Sequence, residues 1–238
     1  MSLRIVHRVD APCDISRLRA GADAAGRKVS ASEISQRINP NTGALEFRAP
    51  LTWTGVRSYY HADGSVTREL RRPEQVRSPS HIRGLRLLTA TSGHPALPDG
   101  TPVYLDARGG PDVRSPDGSA LRPAEDYAIG HVGDAIEDGE IDGYYVPVAW
   151  CSITSLASQR GIAAGKTQTS LGYTALLDDT PGEWEGPHGP EQYDVEHLLD
   201  HEDARVLRAV ADGIVPTVEI LVDGVLTRVP VLGPNHYA

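Results

Sequence analysis

Four short patterns in this 238-residue chain carry side chains capable of chemistry. Gly93-His94-Pro95 pins an imidazole between two residues that shape the backbone, and Thr169-Ser170-Leu171-Gly172-Tyr173 offers a hydroxyl followed by a glycine that lets another backbone approach. A histidine of the first kind is usually structural and a Ser-x-Gly triplet is usually an ordinary turn, so neither pattern means much alone. Glu196-His197-Leu198-Leu199-Asp200-His201 would place two imidazoles at i and i+4 on one helical face, as zinc ligands stand in metallopeptidases, with Asp200 where inverted zinc motifs carry a glutamate. The ordinary reading of that segment is a polar helix face. Gly161-Ile162-Ala163-Ala164-Gly165-Lys166-Thr167 has three residues between its glycines where a phosphate loop needs four, and it follows a helix instead of opening one, so it is set aside.

The elements that must position these groups read as mostly strands. Residues 3–9 suit a short strand, and 14–38 a helix or a mobile arm. From Leu45 to Val56 apolar residues alternate with polar ones and Pro50 interrupts them, which predicts a strand bent at the proline. Ala62-Asp63-Gly64-Ser65 joins Val56–Tyr60 to Val66–Leu70 as a hairpin, because Asp-Gly supplies the positive φ values of a tight turn. Further strands are expected at Leu85–Leu88 and Val103–Leu105, with Gly109 to Pro123 as a loop or flap. Tyr127–Val132 and Tyr144–Trp150 form a pair turning at Glu137-Asp138-Gly139-Glu140. Ser152 is expected to cap a helix over Ile153 to Ala164, and Thr167 to Leu177 returns to strand. Pro181 to Pro190 reads as a loop, Val195 to Ala211 as a helix, and Val215 to Leu232 as a hairpin around Asp223-Gly224.

Composition bounds the function. There are 23 Lys+Arg against 32 Asp+Glu, a formal net charge of −9, and such a surface repels phosphate backbones. The arginines from Arg57 to Arg86, interleaved with Tyr59 and Tyr60, are too thinly spread to outweigh this, so no direct nucleic-acid binding is expected. The two cysteines, Cys13 and Cys151, are too few for a thiolate zinc site. With 24 glycines and 18 prolines an all-helical bundle is disfavoured. No stretch approaches the roughly 20 apolar residues of a membrane helix, so a soluble, non-secreted protein is expected, without a membrane partner.

The short patterns gain meaning from their order along the chain. Thr54-Gly55-Val56-Arg57-Ser58-Tyr59-Tyr60, Ala62-Asp63-Gly64-Ser65, Arg68-Glu69, Arg72-Pro73-Glu74 and Gly93-His94-Pro95 come first. Gly130-His131-Val132-Gly133-Asp134, Gly165-Lys166 with Ser170-Leu171-Gly172-Tyr173, Thr180-Pro181-Gly182-Glu183-Trp184, Tyr193-Asp194 and Asn235-His236-Tyr237-Ala238 follow. Over residues 45 to 238 this series resembles an uncharacterised tailed-phage domain family related to prohead maturation proteases, which are similar in fold to the herpesvirus assemblins. The resemblance implies a mainly β fold with flanking helices (α+β), built on an assemblin-like small β-barrel. It implies a 1–44 arm or helix, then a 45–238 protease-like domain carrying a helix-hairpin insertion at about 195–234, where the family has a short link.

By the same resemblance the nucleophile is Ser170, the base His94 and the third member His236, with Asp178 and Asp179 as substitutes for that last role. His131 stays outside the set. A serine hydroxyl is a poor nucleophile near neutral pH, so His94 would accept its proton and later pass it to the leaving amine. A neutral imidazole at position 236 would support a charged base less than a carboxylate does, which implies a slow enzyme. The function implied is a serine endopeptidase, needing no cofactor and no metal. It would cut phage scaffold and major capsid protein inside the assembling prohead in the host bacterial cytoplasm, with a homodimer compatible with the family. The rivals are a non-catalytic capsid-assembly or scaffold module on the same fold and a zinc-dependent peptidase using the 197/201 pair.

Overall fold

The computed structural model describes residues 2–9, 13–14, 19–20, 36–61, 63–77, 86–88, 104–105, 112–114, 120–123, 128–164, 168–222 and 225–237. The chain divides into two compact units. The first comprises Met1–Arg8, Thr54–Ser78 and Tyr173–Gly233, and the second Val9–Trp53, Pro79–Gly172 and Pro234–Ala238. The described elements are mostly strands with few helices, an α+β class as the sequence implies, and no closed barrel is found among them. No helix among the described residues is long and apolar enough to cross a membrane.

In the second unit Leu45–Pro50, Tyr144–Ile153 and Ala128–Ile141 lie side by side as antiparallel neighbours. Arg37–Ile38 extends one side, and Arg86–Leu88 followed by Gly233–Tyr237 extends the other. The long pair turns at Asp142-Gly143, not at the acidic run 137–140. Both turn residues have positive φ, 51° and 85°, as a two-residue hairpin turn requires, whereas Asp138 and Glu140 stay on the strand with their carboxylates exposed. Gly130 permits close pairing in this ladder: a Cβ there would sit 1.8 Å from the Ser152 carbonyl oxygen. Phe47, Ala49, Val132, Val148, Ala149, Cys151 and Ile153 are buried, an apolar set that needs no polar partners. The strand runs through Ile153, so Ser152 pairs with His131 and Glu46 in the ladder. The helix is Leu156–Ala163, capped by the Ser155 side chain. Most of 14–38, the Gly109–Pro123 segment in large part, and the Gly165-Lys166-Thr167 end of the discarded phosphate pattern lie outside the described residues.

In the first unit Gly55–Tyr60 and Val66–Arg71 form the expected hairpin, with Gly64 at φ 83° and Asp63 Oδ1 accepting from the Ser65 amide at 2.9 Å. Val66–Arg71 pairs in parallel with Val195–Leu198, which is antiparallel to Leu171–Asp178. Leu3–Val9 adds to that last strand. Two ribbons complete the unit. Gly182–Gly186 with Gly189–Tyr193 replaces the loop read over 181–190, since a two-stranded ribbon accepts Pro190 on a free edge. Thr217–Val222 with Val225–Pro230 is the expected hairpin, its Asp223-Gly224 turn lying outside the described residues. The helix read over 195–211 is the strand Val195–Leu198, then a turn, then the helix Ala204–Ala211. Asp203 caps that helix, accepting from the Arg205 amide at 2.8 Å, and Val206 and Ala209 pack with Leu176, Leu198, Val215 and Leu232. The strand wins at 195–198 because all four residues are buried, a demand one helical face could not meet.

Candidate functional site

Ser170 lies between the strands Gln168–Thr169 and Leu171–Asp178 and is half-buried. Its approach is held in the second unit by two contacts. Gln168 and Thr169 pair with Asp14 and Cys13, and the Thr169 hydroxyl donates to the Pro50 carbonyl oxygen at 3.3 Å. Leu171, buried to 2% exposure, anchors the other side, and Gly172 follows without a Cβ. The backbone at His236 lies in the strand Gly233–Tyr237, whose residues from Pro234 onward also belong to the second unit. His94 lies outside the described residues. The structure therefore describes Ser170 and the backbone of His236.

The substitutes for the third role have other partners. Asp178 is buried and accepts from Thr180 Oγ1 at 2.6 Å and from Arg205 Nη1 at 3.2 Å, while Asp179 pairs with Arg4 at 3.3 Å. His131 is exposed on the strand Ala128–Ile141, opposite Ser152 on one side and Arg86 on the other. Cys151 is a free buried thiol, pushed up to about 12 by desolvation, which keeps it protonated and unreactive.

The 197/201 imidazole pair does not exist as read. His197 sits on a strand and His201 in the turn after it, so no helical face unites them. His201 Nε2 lies 3.0 Å from the Leu232 carbonyl oxygen. His197 faces the other way chemically: its Nε2–H donates to Glu69 Oε2 at 2.6 Å, and its Nδ1 lies 3.0 Å from the Tyr173 hydroxyl. Among the described residues no group of three or more His, Cys, Asp or Glu side chains could hold a metal ion.

Hydroxyl, imidazole and carboxylate in series have the connectivity of an acid–base relay. Exposure decides what this one does: Tyr173 and His197 are 0% exposed and Glu69 1%, so no substrate reaches them. The Arg71 guanidinium, also fully buried, lies 4.2 Å from the Tyr173 ring centroid. A second cluster adjoins in sequence. Glu196 accepts from Arg72 Nε at 2.8 Å and from Arg205 Nη1 and Nη2 at 3.0 and 3.2 Å, and Arg205 also bonds Asp203. Burial works against the charge on Arg205, yet its bonds to Glu196 and Asp203 outweigh that and raise it above the ordinary arginine range. Burial likewise favours a neutral Asp203. The Arg205 side chain and amide, with Gln75, prevail and hold its carboxyl below the usual range. At the surface, hydrogen bonds from Arg68 hold Asp194 low.

The patterns singled out for chemistry contain Tyr173, Glu196 and His197 of this network but not Glu69, Arg71, Arg72 or Arg205, the partners that complete it. On that side the local signal is Glu69-Leu70-Arg71, charges flanking an apolar residue next to a tight hairpin. No family model, no curated protein and no solved structure matches the chain.

Proposed function

We propose that the chain is a serine endopeptidase of the prohead-maturation type, with Ser170 as nucleophile, His94 as general base and His236 orienting that base. The observation that carries this reading is the setting of Ser170. It is a half-buried hydroxyl at a break between two strands, held by the Thr169–Pro50 bond before it and buried Leu171 after it. That Ser170 and the backbone of His236 belong to one compact unit supports it.

In this reading the Ser170 Oγ proton passes to His94 as Oγ bonds to the substrate carbonyl carbon. His94 then protonates the leaving amine as the peptide C–N bond breaks, and water, deprotonated by the same imidazole, releases the acyl group from Ser170. The substrates are scaffold and major capsid protein segments in an assembling phage shell, and an assemblin-like barrel is the finer architecture proposed.

Ser170→Ala, co-expressed with scaffold and followed by gel and mass spectrometry, is expected to lower cleavage on the order of 10³-fold or more. Undiminished processing would remove Ser170 from the mechanism and leave the non-catalytic capsid-assembly module as the better account.

A further inference from the structure

The parallel pairing of Val66–Arg71 with Val195–Leu198 lacks the two devices that ordinarily set strand register. No turn joins the strands, since parallel neighbours need a long crossover, and the paired residues Val195↔Glu69 and Glu196↔Leu70 are far apart in sequence. Hydrophobic alternation does not choose either: all four residues of 195–198 are buried, as are Leu70 and Arg71 beside Glu69. A strand buried on both faces can slide without exposing its apolar side chains.

What distinguishes the observed register is a row of matched polar contacts, all with nearly the same sequence offset. Arg68 Nη2 meets Asp194 Oδ1 at 2.9 Å, Glu69 meets His197 at 2.6 Å and Arg72 meets Glu196 at 2.8 Å. Gln75 Oε1 accepts from the amides of Leu199 and Asp200 at 2.7 and 2.9 Å. We propose that this row is a register lock, with the Glu69–His197 pair, closed by the Tyr173 hydroxyl, as its decisive member. The proposal goes beyond the peptidase reading and does not depend on it.

The lock works by what each slip would bury. In the observed register Glu69 stands opposite Val195 and its side chain reaches His197. A shift by one residue would bring Glu196 or Leu198 into the place of His197, and a shift by two Val195 or Leu199. In every case a desolvated carboxylate meets a second carboxylate or a hydrocarbon, and the His197 imidazole loses its acceptor. Tyr173 ties in the third strand. Its hydroxyl reaches His197 from Leu171–Asp178, whose ladder with 195–198 pairs Leu177 with His197.

The test uses the full chain. Glu69→Leu combined with His197→Leu replaces the pair by hydrocarbon of similar volume, an exchange that often preserves folding. The expected result is a folded protein whose amide NMR signals over Val195–Leu199 are doubled and whose amides there exchange about tenfold faster. A single set of signals with unaltered protection would overturn the lock. Failure to fold would also overturn it, since the pair would then be an ordinary stability contact. Glu69→Gln keeps an oxygen that accepts from His197 and is expected to retain one set of signals; doubling there would show that hydrogen-bond matching is not what selects the register.

Discussion

Each compact unit contains one strand pairing that is set by different physics from its counterpart in the other. In the second, the pair Ala128–Ile141 and Tyr144–Ile153 is joined by a two-residue turn at Asp142-Gly143 and packed on an apolar set that includes Phe47 and Val148. In the first, the buried side chains of Glu69, Arg71, Asp178, Glu196 and His197 lie between strands distant in sequence. The contrast shows where polar cores are worth their desolvation. Where a turn and an apolar pattern already select the pairing, hydrocarbon suffices; where neither does, matched hydrogen bonds supply selectivity.

The strongest way to break the contrast is to remove one partner in each unit. His197→Leu leaves the Glu69 carboxylate buried without its imidazole and is expected to destabilise the first unit by about 3–5 kcal/mol. Phe47→Ala is expected to destabilise the second by a similar amount, about 3–5 kcal/mol, through a cavity. Denaturant titrations with a probe in each unit separate them: adding Glu69→Leu should restore most of the His197→Leu loss by removing the unpaired buried carboxylate, and no recovery there would erase the distinction.

The devices that set register can be compared at a smaller scale. Gln75→Ala removes the acceptor of two backbone amides and is expected to cost about 1–3 kcal/mol, with faster amide exchange at Leu199 and Asp200. Gly143→Ala forces a β-carbon into left-handed backbone and is expected to cost about 1–2 kcal/mol, felt across the 128–153 hairpin. Equal exchange effects of the two changes in both units would contradict the separate roles.

The smallest effect expected is the acid response. Asp203 and Asp194 titrate below the ordinary aspartate value of about 3.9, so the stability they lend is fully present above it and is lost as pH falls through their lower folded values. Asp203→Ala is expected to remove about 1 kcal/mol through the lost helix cap and to flatten that acid transition. A melting temperature that falls in parallel with the unaltered protein below about pH 4 would show that Asp203 plays no part in it.

Local chemistry was readable wherever neighbours in sequence are neighbours in space. The hairpin around Asp63-Gly64, the ribbon 217–230 and the strand bearing Leu45 and Phe47 follow from turn residues and alternation. The turn at Asp142-Gly143 was misplaced because the acidic run 137–140 resembles a loop. Its alternating exposure became visible only once the ladder to 144–153 was known. The segment 195–211 was misread because buried strand and amphipathic helix share the same apolar residues until burial on every side separates them.

For the candidate site, the order of short blocks along the chain pointed to Ser170, His94 and His236, and Ser170 is where a strand break leaves a half-buried hydroxyl. Residue types and close spacing were enough to name a mostly antiparallel chain rich in hairpins, with a hydroxyl and imidazoles in patterns that could do chemistry. The partners of those imidazoles were another matter. His197 looked like half of a metal pair with His201, yet it serves Glu69, 128 residues away, and Tyr173, 24 away. A side chain's role in a desolvated core depends on which opposite group folding delivers to it, and no local pattern carries that information.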